Sequence, residues 1–93
     1  MTTGKLAGRA ALISGGAGAM GAATAQLYAA EGCAVCLADL DLEASQAIAA
    51  KIQADGGQAM AVRLDVRNSA QWNGAVTDAE RAFGHLDTLC AFA

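Results

Sequence analysis

Ser14-Gly15-Gly16-Ala17-Gly18-Ala19-Met20-Gly21 is the segment that decides how the rest of the chain is interpreted. It follows the apolar run at residues 10–13, which predicts a short buried strand, and it precedes the start of a helical pattern. The first turn of such a helix leaves backbone N–H groups unpaired and carries a partial positive charge, so a phosphate is the natural occupant. The spacing Gly16-x-Gly18-x-x-Gly21 is also typical of a dinucleotide site.

The composition predicts one small packed domain. The chain has 93 residues, of which 55% are hydrophobic and 16% are charged, a balance that argues against disorder. The net charge is −3 and no basic cluster occurs, so neither nucleic acid nor an anionic membrane is an expected partner. No apolar run reaches the roughly 18–20 residues of a membrane span, and the start of the chain lacks the apolar core of a signal peptide. We therefore expect a cytoplasmic location.

The cysteines and the histidine predict neither a disulfide framework nor a metal site. Three cysteines are an odd number, and Cys33 and Cys36 fall along a predicted strand, where residues three apart point to opposite faces. We interpret both as small apolar side chains packed around that strand. The single histidine, His85, has too few companions for a zinc site and is interpreted as a loop residue.

Strand and helix patterns alternate along the chain, which predicts βαβ units and a parallel sheet. Strands are predicted at residues 9–14, 34–38, 58–64 and 88–92. Helices are predicted over 19–31, between Asp41 and Gly56, and between Asn68 and Gly84, where Asn68 with Gln71 resembles a capping box. The apolar faces predicted for the first and third helices are Met20, Ala23, Thr24, Leu27 and Tyr28, and Trp72, Val76, Ala79 and Phe83.

Right-handed crossovers leave few arrangements for these elements, and the strand order 3-2-1-4 is the expected one. The predicted fold class is α/β, a Rossmann-like three-layer doubly wound parallel sheet of four strands with three helices. Residues 1–93 would then form a single, partial dinucleotide-binding domain. Ligands of such sheets bind beyond the carboxyl ends of the strands at the topological switch, here between strands one and four. The glycine-rich segment lies at that edge.

Asp39 is the second part of the predicted site. It ends the second strand, eighteen residues after Gly21, where a carboxylate can accept two hydrogen bonds from a ribose diol and would repel a 2′-phosphate. Neither Gly18 nor Leu40 is an Arg or Lys that could hold such a phosphate. The sequence therefore predicts NAD rather than NADP as the cofactor. The alternative is a solvated aspartate that caps a loop.

Asp65 is the third part of the predicted site. It follows the third strand, at the same edge of the sheet as the glycine-rich segment and Asp39. Its carboxylate can face the amino group of adenine, and Val66 can cover the ring. The alternative is a turn aspartate that is bonded to local backbone.

Four segments of the chain together resemble the short-chain dehydrogenase/reductase family. They are Ser14-Gly15-x-x-x-x-x-Gly21, Leu37-Ala38-Asp39, Leu64-Asp65-Val66 and Ala82-Phe83-Gly84-His85-Leu86-Asp87-Thr88-Leu89. The resemblance spans nearly all of the chain and corresponds to the N-terminal part of a family domain. Ala19 stands where the family's single-domain branch usually has a glycine, and Phe92 where the family usually has an asparagine.

The resemblance implies a role for each matching residue. Those along the cofactor's adenosine and pyrophosphate would be Gly15, Gly18, Ala19 and Met20. Asp39, with Leu40 beside it, would hold the adenosine ribose, and Asp65 and Val66 would contact adenine. Phe92 and Ala93 would pass close to the cofactor at the end of the fourth strand. Met20 is also placed at helical core spacing, so packing is the alternative for that side chain.

The resemblance also implies an activity that these residues alone do not complete. The intact family protein would be an NAD-dependent oxidoreductase that acts on an alcohol or ketone with a Tyr-x-x-x-Lys pair and a serine. The only tyrosine here is Tyr28, and Gly32 stands four residues later. We therefore assign no catalytic residue and predict that this chain alone is inactive.

The residues leave two other interpretations of the chain open. The chain could be a non-catalytic nucleotide-binding or self-associating module, in which two copies pair through the outer edge of the fourth strand as a homo-oligomer. It could also be an unrelated fold that prefers a mononucleotide such as ATP or FMN.

Overall fold

The computed structural model describes residues 4–92 and contains the seven alternating elements that the sequence predicts. They are β1 (Ala10–Ser14), α1 (Ala19–Ala30), β2 (Ala34–Asp39), α2 (Leu42–Ala54), β3 (Ala59–Arg63), α3 (Ser69–Phe83) and β4 (Thr88–Ala91). The strands form one parallel sheet in the order β3-β2-β1-β4, which confirms the predicted topology. Ser14 pairs with Ala38 on one side and Ala91 on the other, so the carboxyl ends of β2, β1 and β4 are level.

The sheet separates two apolar cores, which gives the three layers. The core beneath α1 and α2 contains Ala11, Ile13, Ala25, Cys33, Val35, Leu37, Ala49, Ile52 and Ala59. The core beneath α3 contains Leu12, Cys36, Ala38, Leu64, Ala75 and Ala79. Because β1 and β2 contribute to both cores, they read as continuous apolar runs rather than as alternating strands.

The face that α1 buries differs from the predicted one. Its fully buried residues are Gly21 and Ala25, whereas Met20 is 70% exposed and Leu27 is 63% exposed. Near its start the helix lies so close to the preceding turn that only the smallest side chains fit there, whereas Tyr28 near its end, which belongs to the predicted face, packs against the core. The helix consists largely of alanine, so the spacing of its few large apolar residues did not identify the buried face. The interpretation of Met20 as a packing residue is wrong.

The other two helices begin where the sequence predicts. The Asp41 carboxylate accepts a hydrogen bond from the Ala44 N–H at 3.0 Å, and the Asn68 side chain accepts one from the Gln71 N–H at 3.1 Å. The capping box is only half formed, because the Gln71 side chain accepts from the Asp65 N–H at 2.7 Å instead. The helix α3 ends at Gly84, whose φ of 86° is left-handed.

β4 is one of the two edge strands of the sheet, with β3 at the other edge, and among residues 4–92 it pairs only with β1. Leu89 on this strand is 56% exposed. Pairing of two copies through this edge stays a prediction. No helix in the described part of the chain is long and apolar enough to cross a membrane.

His85 ties the turn before β4 to the start of the chain. Its Nε2 lies 2.8 Å from the Gly8 carbonyl oxygen and 3.0 Å from Asp87 Oδ2, and the same Asp87 oxygen accepts the Ala10 N–H at 2.9 Å. The residue is therefore a structural contact of a loop, as the sequence predicts.

Cys33 and Cys36 are buried on opposite faces of the sheet, as predicted, and both are free thiols. We expect Cys36 to resist Ellman's reagent in the folded chain. Its side chain is fully buried, and burial together with Asp78 raises its pKa from 9.0 to about 12. At pH 8 only about one folded molecule in 10⁴ would then carry the reactive thiolate.

The measurement is the number of thiols that react before and after denaturation. Cys90 is partly exposed and serves as the internal comparison. In a Cys90→Ser variant the fast native reaction should disappear, while guanidinium should make both remaining thiols react. Labelling of Cys36 in the folded protein at the rate of Cys90 would show that β2 is not buried as described.

Candidate functional site

The glycine-rich turn connects β1 to α1 and is shaped by two glycines. Gly15 has a φ of 71°, a left-handed conformation that favours glycine. A Cβ at Gly21 would overlap the Gly15 carbonyl oxygen and would lie 2.8 Å from the Gly15 carbonyl carbon. The turn and the first turn of α1 are therefore in direct backbone contact. The Gly16 N–H donates to the Ala38 carbonyl at 3.3 Å, which ties the turn to β2.

Gly18 differs from its neighbours because no internal packing requires it. It is exposed, and a Cβ there would meet only the Gly15 carbonyl oxygen at 3.4 Å, an ordinary contact. Gly18 is the N-cap of α1 and makes no side-chain cap, and the first turn has no acidic residue. The unpaired N–H groups of this turn, which starts with the exposed Ala19 and Met20, are therefore available to an anion.

Asp39 lies at the end of β2, beside the glycine-rich turn. Its Oδ2 accepts a hydrogen bond from the Ala17 N–H at 3.1 Å, and its Oδ1 accepts one from the Asp41 N–H at 2.9 Å. These bonds fix the carboxylate in one orientation. A carboxylate offers about four acceptor positions, so each oxygen keeps one for a further donor.

A cavity of about 80 Å³ opens between the turn and the ends of β2 and β3. It is lined by Gly15, Asp39, Leu40, Leu64 and Val66. Leu40 is 54% exposed and Val66 is 38% exposed, so apolar side chains border the opening. A narrow apolar cleft with a carboxylate at one end suits a flat base attached to a diol-bearing sugar.

Asp65 lies at the same edge, and its carboxylate is engaged by Arg67. Oδ1 accepts from the Arg67 N–H at 3.0 Å and from Nε at 3.1 Å, and Oδ2 accepts from Nη2 at 3.2 Å. The hydrogen bond from the guanidinium holds the pKa of Asp65 below its ordinary value. The backbone bond is the one expected of a turn aspartate, and the fork from the side chain comes in addition to it.

The end of β4 completes the edge. The Phe92 N–H donates to the Ser14 carbonyl at 3.1 Å, which places Phe92 directly beside the glycine-rich turn, and its side chain is 41% exposed. Ala93 lies outside the described residues.

Tyr28 is at the opposite edge of the sheet, at the amino ends of the strands. It lies in a cavity of about 330 Å³ that is also lined by Arg9 and Thr88 at the starts of β1 and β4. The only tyrosine is therefore remote from the predicted site.

Two larger cavities lie at the opposite edge. The 330 Å³ cavity beside Tyr28 and a second of about 310 Å³ between Ala30 and Gly57 are both at the amino ends of the strands. The edge with the smaller cavity is the one that combines an uncapped helix start with oriented carboxylates, and ligands of this fold bind at that edge.

Sequence reasoning missed the residues that hold Asp65. Arg67 was not singled out, although a charged residue two positions after a turn aspartate is a detectable signal. The Trp72 indole N–H donates to the Val66 carbonyl at 2.8 Å, a contact that no spacing rule indicates. Arg63 is the register neighbour of Asp39 on β3 and makes no ion pair with it in the described part of the chain.

Comparisons with known proteins agree with this geometry. The model of the short chain dehydrogenase family matches residues 9–93. The chain is 48% identical over 85 residues to 2,5-dichloro-2,5-cyclohexadiene-1,4-diol dehydrogenase of Sphingobium indicum. The match covers 91% of this chain and 34% of that protein. It is 45% identical over 87 residues to 3-alpha-(or 20-beta)-hydroxysteroid dehydrogenase of Mycobacterium tuberculosis. That match covers 94% of this chain and 32% of that protein.

A solved structure extends the match to the fold. The crystal structure of a hydroxysteroid dehydrogenase from Escherichia coli superposes with a TM-score of 0.89 at 29% identity, over 92% of this chain and 36% of that one. The chain thus spans about a third of the length of each of these three relatives. These matches favour membership of the family over the two alternatives from the sequence, a non-catalytic module and an unrelated nucleotide-binding fold. The chain belongs to the short-chain dehydrogenase family, whose members depend on nicotinamide nucleotides.

Proposed function

We propose that this chain binds NAD in preference to NADP, as the cofactor-binding part of an oxidoreductase that acts on an alcohol or ketone. The observation that carries the proposal is Asp39, which is oriented by two backbone N–H groups and keeps one free acceptor on each oxygen. The names of the relatives, a diol dehydrogenase and hydroxysteroid dehydrogenases, support an alcohol as the substrate class.

The start of α1 fits the pyrophosphate. Helix α1 has no side-chain cap, whereas Asp41 and Asn68 cap the other two helices. Gly18 is exposed and places no side chain between the turn and a phosphate. The Cβ of Ala19 reduces the space for the pyrophosphate, and the missing side chain of Gly18 offsets that loss.

The end of β2 fits the adenosine ribose. Two hydroxyl donors of the diol match the two acceptor positions that Asp39 retains. A 2′-phosphate would remove one of these donors and bring its negative charge against the carboxylate. Leu40, the next residue, is not a cation that could offset this repulsion.

The cavity at the ends of β2 and β3 fits the adenine ring. Leu40 and Val66 provide apolar contacts for the base, and Asp65 lies in the chain between Leu64 and Val66, which line the cavity. When bound, the nicotinamide of NAD accepts or supplies the hydride. Tyr28 lies at the opposite edge and cannot move the substrate proton, so we expect this chain to bind NAD without turnover.

Calorimetric titration of the chain with NAD, NADP and ADP-ribose tests the proposal. We expect NAD to bind at least about tenfold more tightly than NADP, a difference of about 1.4 kcal/mol. ADP-ribose should bind nearly as well as NAD, because the site described here holds the adenosine and pyrophosphate. Equal or tighter binding of NADP would overturn the preference for NAD, and tighter binding of ATP or FMN would overturn the dinucleotide site.

A further inference from the structure

The cavity of about 330 Å³ at the amino ends of β1 and β4 takes no part in the proposed NAD site. It is lined by Lys5, Leu6, Arg9, Tyr28, Cys33 and Thr88. Its volume is at the lower end of the range that small-molecule sites occupy. The cavity is therefore large enough for a small organic ligand, and the chemistry of its walls indicates which class of ligand fits.

Backbone hydrogen bonds hold the walls of this cavity in place. The Leu6 N–H donates to the Glu31 carbonyl at 2.8 Å, which ties the segment before β1 to the end of α1. The Arg9 N–H donates to the Leu6 carbonyl at 3.0 Å, and the Arg9 carbonyl accepts from the Ala34 N–H at 2.9 Å. The cavity is therefore formed before any ligand binds, so little ordering is needed on binding.

The floor of the cavity is apolar and uncharged. Leu6 and Tyr28 pack against the core beneath α1 and α2, to which the buried Cys33 belongs. Burial, followed by the charge of Asp87, raises the pKa of the Cys33 thiol, so this group stays neutral. A floor of this kind suits the ring or the alkyl part of a ligand.

The rim of the cavity is positively charged. The side chains of Lys5 and Arg9 are exposed, and neither forms an ion pair with another residue between 4 and 92. Glu31 is the neighbouring carboxylate, but its Oε1 accepts the backbone N–H of Lys5 at 3.1 Å rather than the ammonium group. Two cations at the rim are therefore available to an anion, and a guanidinium can bind a carboxylate through two parallel hydrogen bonds.

Tyr28 adds a neutral polar group to the same cavity. Its hydroxyl lies 3.7 Å from the Cys90 thiol, a weak contact, and no oxygen of the described residues accepts a hydrogen bond from it. A phenol keeps its proton at neutral pH, so this hydroxyl can donate to an anion.

We propose that this cavity is a second ligand site, which takes a small organic carboxylate with an apolar body. The apolar body lies on Leu6 and Tyr28, and the carboxylate faces Lys5 and Arg9. A bare inorganic anion would leave the apolar floor uncovered, and a neutral apolar molecule would leave both cations without a partner. The site is separate from the proposed NAD site and does not depend on it.

Fluorine NMR titration of the chain with 4-fluorobenzoate tests the site. The comparison probes are the neutral 4-fluorobenzonitrile and inorganic phosphate. We expect a dissociation constant of about 1 mM for 4-fluorobenzoate, which is ordinary for so small a ligand. Each comparison probe lacks one half of the recognition and should bind at least about tenfold more weakly. The backbone amide resonances of Leu6, Cys33 and Thr88 should shift on binding, and saturating ADP-ribose should not displace the probe.

Two sets of variants locate the recognition on named side chains. Lys5→Gln combined with Arg9→Gln should weaken binding of 4-fluorobenzoate by about tenfold, and Tyr28→Phe by about threefold. Lys51→Gln combined with Arg81→Gln is the matched control, because it removes the same charge from two exposed cations that do not line the cavity. The control should leave binding unchanged. Circular dichroism checks that every variant is folded.

The inference is overturned by an absence of saturable binding of 4-fluorobenzoate, or by equal binding of the nitrile or of phosphate. Displacement by ADP-ribose would place the probe at the glycine-rich turn and would also overturn it. An equal loss of affinity in the control would show that net charge, and not the two cations at the rim, attracts the carboxylate. These outcomes leave the proposed NAD site untouched, because NAD binding is measured in a separate titration.

Discussion

Replacing Gly21 by alanine is expected to destabilise the fold by about 3 kcal/mol or more, at the upper end of the range for overpacked sites. The added Cβ would overlap the Gly15 carbonyl oxygen and lie 2.9 Å from the Gly16 Cα. All of these atoms are backbone, so no side chain can rotate away to make room. Because native domains are stable by only about 5–15 kcal/mol, a loss of this size should lower the urea midpoint of the variant sharply.

Gly74→Ala is the matched control, since it makes the same change inside a helix. A Cβ at Gly74 would meet nothing within 4 Å, and the residue is exposed on α3. We expect this variant to gain about 0.5–1 kcal/mol from the higher helix propensity of alanine. Urea denaturation followed by circular dichroism measures both changes. Similar stabilities of the two variants would contradict the close approach of α1 to the glycine-rich turn.

Replacing Asp39 by asparagine is expected to weaken NAD binding by about tenfold or more and to reduce the preference over NADP. The amide keeps the shape of the carboxylate but has one acceptor oxygen, which keeps one position free beside the bond from Ala17 or Asp41, and its NH2 group faces the other backbone N–H. The diol then loses one of its two acceptors, and a 2′-phosphate no longer meets a negative charge. Calorimetric titration with both dinucleotides measures the change.

Asp41→Asn separates this effect from a general change in charge. Asp41 is exposed two residues away and caps α2 through its side chain, a role that asparagine performs equally well. The variant removes the same formal charge and should leave both affinities unchanged. If NADP binding improves equally in Asp41→Asn and Asp39→Asn, long-range charge and not the ribose contact sets the preference.

The order of the elements and the edge that carries the site were predictable from the sequence because strong local signals coincide there. The apolar runs that form β1 and β2 are bounded by glycines and by Asp39, and the caps at Asp41 and Asn68 are used as predicted. Each of these signals acts within a few residues of chain. The crossover rule then left few sheet orders, and the structure confirms the expected one.

The features that were not predictable depend on how closely separate elements approach. The buried face of α1 is set by the close approach of Gly21 to the Gly15 carbonyl. The spacing of large side chains along the sequence does not predict that contact. The Gln71 side chain bonds the Asp65 N–H rather than its own cap, because the end of β3 is brought next to α3. Arg67 on Asp65 depends in the same way on the shape of one turn.

The central position of β1 has a consequence for how the chain reaches its native state. β1 pairs with β2 after a single helical crossover, but its other partner begins at Thr88, opposite Ala11, so the residues up to the end of β4 must be made before that side closes. Such long-range pairing costs chain entropy before its contacts form, and it slows folding. Of the four strands, β1 emerges first during synthesis, and it gains its second neighbour only when the fourth has been made.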